Sequence, residues 1–187
     1  MSDGKWRVTA SRVVHKDRWV HLRADDCLTD EGAVVAPFYV LDYPDWVHVV
    51  AFDADDNVLL IRQYRHGLGD LSIEVPAGAM DPGDVDPLVA AERELLEETG
   101  CAGTLSLYGT LSPNPSSHAN RMHTVIARDV VRVTAPVDDP LERIETFWVP
   151  RAEALRLALS GEMTAAIQVA SLLQVLMADE KGVMKQA

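Results

Sequence analysis

The sequence predicts an α+β fold with an N-terminal antiparallel β-arm. Segments of alternating apolar and polar residues fill positions 6–43, and two apolar runs flank a polar turn at 53–57. A helix over 87–99 carries both of its caps in the sequence, and two further helical patterns follow near the C-terminus. The 187 residues fit one domain with a sizeable core plus an appendage, divided here into an arm over 1–44 and a main domain over 45–187.

In the arm, strands are expected over 7–14, 19–25 and 33–41, the last after the turn Asp30-Glu31-Gly32. They hold too few apolar residues for an independent core, so the arm is expected to lean on something else. Positions 46–52 and 58–64 are apolar strands around Asp53-Ala54-Asp55-Asp56-Asn57 and are expected to form a central hairpin. A short strand at 71–75 delivers Pro76, Ala77 and Gly78 to a loop. Strands at 103–111 and 122–127 enclose a polar loop stiffened by Pro113 and Pro115, and a strand at 146–149 follows an acidic stretch with Asp138, Asp139, Glu142 and Glu145. Helices are expected over 151–159, ended by Ser160-Gly161, and from 163 or 164 to 177, where Ile167, Ala170 and Leu173 form a core-facing stripe.

The stretch from Ala77 to Cys101 organises the chain. Asp86 and Pro87 read as N-cap and first helical residue, and Gly100 as a left-handed C-cap. Leu88, Ala91 and Leu95 make the apolar stripe of this helix. Glu94, Glu97 and Glu98 stand at i, i+3 and i+4, where like charges repel. Arg93 lies four residues before Glu97 and is placed to pin one carboxylate. Carboxylates beside a glycine loop that offers carbonyl oxygens make a hard-oxygen ligand set, suited to Mg²⁺ or Mn²⁺.

These residues resemble the Nudix hydrolases, whose box reads Gly, five residues, Glu, seven residues, Arg-Glu, an aliphatic, any residue, Glu-Glu, any residue, Gly, an aliphatic. The second half is intact from Arg93 to Cys101. The first half departs: Gly78 is followed after five residues by Asp84 in place of Glu, and eight residues separate Asp84 from Arg93, an inserted residue in the loop. The resemblance implies an α/β/α sandwich with a mixed central sheet. It also implies metal ligation by the Ala77 carbonyl, Glu94, Glu97 and Glu98, with Arg93 and Glu97 serving catalysis, and Arg65 against substrate phosphates, where a planar guanidinium binds in bidentate fashion. For the general base the resemblance points to Glu142 or Glu145, with the loop histidine His118 as a rival of suitable unperturbed pKa.

Within the family, the branch that splits ADP-ribose and nucleotide sugars is the most similar. That branch implies a homodimer through the arm, an aromatic of the arm (Trp19) stacked on the base with Phe38 or Tyr39 closing the other side, and a specificity proline at Pro115. The expected reaction is metal-dependent hydrolysis of a nucleoside diphosphate sugar to a nucleoside monophosphate and a sugar phosphate. GDP-mannose or another nucleoside diphosphate derivative is the alternative substrate. A sensor that binds ADP-ribose without cleaving it is the alternative of a different class, against which the intact Arg93, Glu94, Glu97 and Glu98 speak.

Composition sets outer bounds. A formal net charge of -12 lacks the basic footprint that nucleic acids or anionic membranes require, so neither is expected as a partner. An anionic small substrate then needs a cation or a local arginine to screen its approach. The two cysteines, Cys27 and Cys101, read as reduced thiols of a cytoplasmic protein, with no secretion signal and no run of transmembrane length expected.

Overall fold

The computed structural model describes residues 4–137 and 143–180; Asp138, Asp139 and Glu142 lie outside the described residues. The chain divides into two compact units, one of residues 1–45 with 112–121, the other of residues 46–111 with 122–187.

The first unit is built on a three-stranded antiparallel sheet, β1 (Arg7–Lys16), β2 (His21–Leu28) and β3 (Val34–Leu41), in that order. All ten residues of β1 are exposed, including Val8, Val13 and Val14, whereas β2 buries Ala24, Asp25 and Cys27. Buried Asp25 is matched by Ser11 Oγ at 2.6 Å and Arg23 Nε at 3.1 Å, as a buried carboxylate requires. The loop over 112–121 runs along β3, with Leu41 N donating to Ser117 O and Ala119 N to Leu41 O.

The second unit holds β4 (Trp46–Ala51), β5 (Asn57–Arg65), β6 (Asp70–Glu74), β7 (Ala77–Ala79), α1 (Pro87–Thr99), β8 (Cys101–Leu111), β9 (Met122–Arg132), β10 (Glu145–Pro150), α2 (Arg151–Ser160) and α3 (Ala166–Glu180). One sheet runs β7-β4-β9-β8 and is mixed, because β4 and β9 are parallel; the other, β10-β5-β6, is antiparallel. The expected hairpin of the two apolar strands is therefore corrected. β4 and β5 meet at an isolated bridge, Phe52 to Val58, and then enter different sheets. The turn between them does form, with Asp53 Oδ1 accepting from Asp55 N and Asn57 N.

Burial on both faces explains the divergence. Val47, Val49 and Ala51 of β4 pack with Ala90, Ala91 and Leu95 of α1. Val50 and Phe52 pack with residues of α2 and α3 such as Leu157, Leu172 and Leu176. Strand alternation thus feeds two cores, and helices cover the strands from both sides in the expected α/β/α layering. Pairing also lengthens β8 and β9 beyond their sequence signals, to Cys101 at one end and Arg132 at the other. Among the described residues, no helix is long and apolar enough to cross a membrane.

Candidate active site

The second unit contains a cleft of about 410 Å³ lined by β4, β5, β7, α1 and α3. β4 contributes Trp46 and His48, β5 contributes Gln63 and Arg65, β7 contributes Ala77 to Ala79, α1 contributes Glu94 and Glu98, and α3 contributes Ile167 and Gln168. The helix is aimed by its ends. Asp86 Oδ1 accepts from Leu88 N at 2.7 Å and Val89 N at 3.2 Å, and Gly100 closes the C-terminus at φ 68° with its N–H on Leu96 O.

Loop and helix are locked together at three points. Glu98, 8% exposed, accepts from Ala77 N at 2.9 Å. A Cβ built on Gly78 would overlap the Glu94 carboxylate, so the glycine permits a close approach of backbone and carboxylate. Arg93 donates to Ala79 O (2.9 Å), Asp84 (3.0 Å), Glu94 (2.6 Å) and Glu97 (3.4 Å). The shorter Asp84 still closes its loop, accepting from Asp81 N at 2.7 Å as well as from Arg93. That backbone N–H and the guanidinium hold its carboxyl below the usual range.

Glu97 shares Arg93 Nη1 with Glu94. Helical geometry separates it from Glu98 by about 100°, and its side chain is 48% exposed and is not among the residues that line the cleft. Among the described residues, no group of three His, Cys, Asp or Glu is assembled as a metal ion requires. Glu94, Glu98 and the backbone at Ala77 and Gly78 nonetheless supply hard oxygen donors to the cleft, and the cradle at Gly78 leaves room for no side chain there. Such a donor set fits Mg²⁺ or Mn²⁺.

Arg65 of β5 lines the same cleft. Its Nε and Nη2 donate to Glu74 Oε1 and Oε2 at 2.9 and 2.7 Å, a bidentate pair. Burial works to raise the Glu74 pKa, but the Arg65 hydrogen bonds and charge outweigh it, and the carboxyl stays below its ordinary range. Buried His48 joins Ser171 Oγ at 2.9 Å, and Thr124 Oγ1 donates to the same hydroxyl. Burial pushes the His48 pKa down to about 4 against a partial rise from the charge of Glu74, so the imidazole is neutral at pH 7.

The remaining predicted site residues are not among those that line this cleft. Glu145 is 63% exposed and bonds Arg62 at 3.2 Å. It stands directly opposite Arg62 in the β10–β5 register, so it shares the sheet face of Arg62, while Gln63 and Arg65, an odd number of positions from Arg62, lie on the other face and line the cleft. Trp19, Phe38, Pro115 and His118 belong to the first unit. Trp19 is 68% exposed with the Arg18 guanidinium 4.3 Å above its ring. Phe38 meets Trp6 edge-on at 5.8 Å, and His118 lies 5.7 Å from the Tyr43 ring and beside Ser117 Oγ. Glu142 lies outside the described residues.

The sequence reading missed His48, Glu74 and Gln168. His48 carries a signal, the single polar residue in the apolar run from Trp46 to Ala51, but Glu74 shares its strand with Asp70 and Ser72 and Gln168 its helix with Ser171 and Gln174, so nothing local marks them.

Fold and cleft together fit a hydrolase site whose lining combines hard oxygen donors with an arginine. Residues 42–169 match the NUDIX domain family, and residues 6–41 match the nucleoside diphosphate sugar hydrolase N-terminal domain. The chain belongs to the Nudix family. It is 30% identical over 177 residues to the ADP-ribose pyrophosphatase of Mycobacterium tuberculosis, covering 94% of this chain and 85% of that protein. It is 32% identical over 122 residues to the ADP compounds hydrolase NudE of Escherichia coli, covering 65% and 64%. The crystal structure of an ADP compounds hydrolase superposes with a TM-score of 0.81 at 25% identity, covering 95% of this chain and 96% of that one.

Proposed function

We propose that this Nudix enzyme hydrolyses the diphosphate of ADP-ribose or a closely related nucleoside diphosphate sugar with the help of Mg²⁺ or Mn²⁺. Water adds to one phosphorus, the bridging P–O bond breaks, and a nucleoside monophosphate and a sugar phosphate leave. The observation that carries this reading is that Glu94, Glu98, the Ala77–Gly78 backbone and Arg65 line one cleft. The names of the relatives, ADP-ribose pyrophosphatase and ADP compounds hydrolase, support the choice of substrate.

Glu94 and Glu98 would hold the divalent ion, with Glu97, which shares Arg93 Nη1 with Glu94, as a further ligand. When bound, such an ion neutralises phosphate oxygens and lowers the pKa of water. Arg65 takes charge that grows on the phosphate oxygens as the bond breaks. Arg93 keeps Glu94 and the loop in register. Glu142 is the proposed acceptor of the water proton, since Glu145 is committed to Arg62. Trp19 is proposed to stack on the base.

We also propose a homodimer through the arm, supported by β1, an edge strand exposed along its whole length beside exposed Trp6. Sedimentation of the full chain against one lacking residues 1–40 tests this; an unchanged oligomeric state would refute it. The substrate assignment is tested by incubating the protein with Mg²⁺ and a panel of nucleotide sugars and measuring phosphate after phosphatase coupling. Turnover greatest on ADP-ribose supports it; binding without turnover would make the protein a sensor, and preference for GDP-mannose would move the specificity.

A further inference from the structure

The last helix reaches the cleft arginine through two intermediates. Gln168, buried near the start of α3, donates from Nε2 to Glu74 Oε2 at 3.2 Å and accepts from Val75 N at 3.3 Å. Glu74 Oε2 is also the acceptor for Arg65 Nη2, so one oxygen is fixed from both sides. Arg65, Ile167 and Gln168 border both the cleft and a second cavity of about 430 Å³, and Glu74 lines the second cavity alone.

Glu74 is costly where it stands. Its side chain is 3% exposed, and a carboxylate so buried loses hydration that its partners must replace. It also cancels part of the positive charge that Arg65 offers to an anionic substrate. An electrostatic role in binding phosphate therefore does not account for it. What the pair supplies is direction. Two parallel N–H···O bonds fix the guanidinium plane, and the Arg65 side chain is 44% exposed, so the pair gives order that packing on an exposed chain does not. Ordering a long side chain before the ligand arrives removes an entropic cost from binding and from the transition state. Gln168 in turn stops Glu74 from rotating away, and through Val75 N it is tied to the strand end that leads to Ala77.

We propose that Gln168 and Glu74 are positioning residues through which α3 aligns Arg65 for the reacting phosphate. The proposal rests on the assignment of Arg65 to the substrate phosphates made above.

The test uses the full chain, with Glu74→Gln, Gln168→Leu, Arg65→Ala and the double variant Gln168→Leu/Arg65→Ala, each checked for an unchanged Tm. Two quantities are read: kcat and KM on ADP-ribose with Mg²⁺, and affinity for ADP by calorimetry. Gln168→Leu is expected to lower kcat/KM and ADP affinity by about threefold to tenfold when Arg65 is present, and to add nothing once Arg65 is alanine. Glu74→Gln is expected to lower kcat at least about tenfold while ADP affinity holds or rises, because lost repulsion offsets lost alignment. Equal losses from Gln168→Leu in both backgrounds would mean a merely structural role and overturn the proposal. So would a Glu74→Gln variant with unchanged or higher kcat. If the wild type fails to cleave ADP-ribose, the substrate reading falls and the ADP binding cycle still decides; absence of ADP binding to the wild type would remove Arg65 from phosphate recognition and the proposal with it.

Discussion

Gly78→Ala separates the site from the fold. The new Cβ would overlap the Glu94 carboxylate, which is the far end of a flexible side chain, and Gly78 is not among the glycines that require a left-handed backbone. The backbone therefore tolerates alanine, and relief comes from moving Glu94. That movement breaks the partly buried 2.6 Å bond from Arg93, a charge-assisted contact worth about 1–2 kcal/mol. For a chain of this size the loss lowers Tm by about 2–8 °C. Turnover should suffer more, because Glu94 leaves the cleft: a fall of about a hundredfold in kcat, or ~2.7 kcal/mol in barrier, is expected. The assay pairs thermal unfolding with steady-state phosphate release. Full activity with a normal Tm would show that Glu94 need not approach the loop. A Tm drop well beyond this range would show that the contact serves packing instead.

Glu98→Gln should keep the fold, since the amide oxygen can still accept from Ala77 N, yet lose more than about tenfold in kcat, ~1.4 kcal/mol; a smaller loss in steady-state kinetics would remove Glu98 from the metal site. Glu142→Gln should reduce kcat by about a hundredfold or more and flatten the acidic limb of the pH–rate profile, while Glu145→Gln, which only weakens an exposed pair with Arg62, should stay within about twofold; the reverse order would exchange their roles. Burial holds the folded pKa of His48 near 4, below its ordinary 6.5, so the unfolded chain takes up the proton first. Its contribution is thus fully present above pH 6.5 and is lost as pH falls toward 4, by about 3 kcal/mol at most. Denaturant titrations of wild type and His48→Gln should diverge in slope across that window; parallel curves would mean that His48 is not held neutral.

What was legible in the sequence was local. The caps of α1, its apolar stripe and the carboxylate cluster lie within 25 neighbouring positions, Ala77 to Cys101, and periodicity with capping chemistry suffices to read them. The pairing of β4 and β5 was not legible, because the turn at Asp53 joins them in sequence while helices on opposite sides decide which sheet each enters. The same holds for Glu145, whose register against Arg62 depends on a partner 83 residues away. Spacing and the family resemblance grouped Glu97 with Glu94 and Glu98, but its 48% exposure depends on how α1 packs and is not legible locally. Gln168 and Glu74 meet across 94 residues, a contact that arises when α3 closes over β6. Local rules carry no information on such encounters.

The central claim is that Glu94 and Glu98 hold a divalent ion in the cleft that Arg65 also lines. Isothermal titration of Mg²⁺ or Mn²⁺, with ADP present, into the wild type and into Glu94→Gln/Glu98→Gln addresses it most directly. Saturable uptake by the wild type that disappears in the double variant is the predicted result; no uptake by the wild type, or equal uptake by both, would contradict the account.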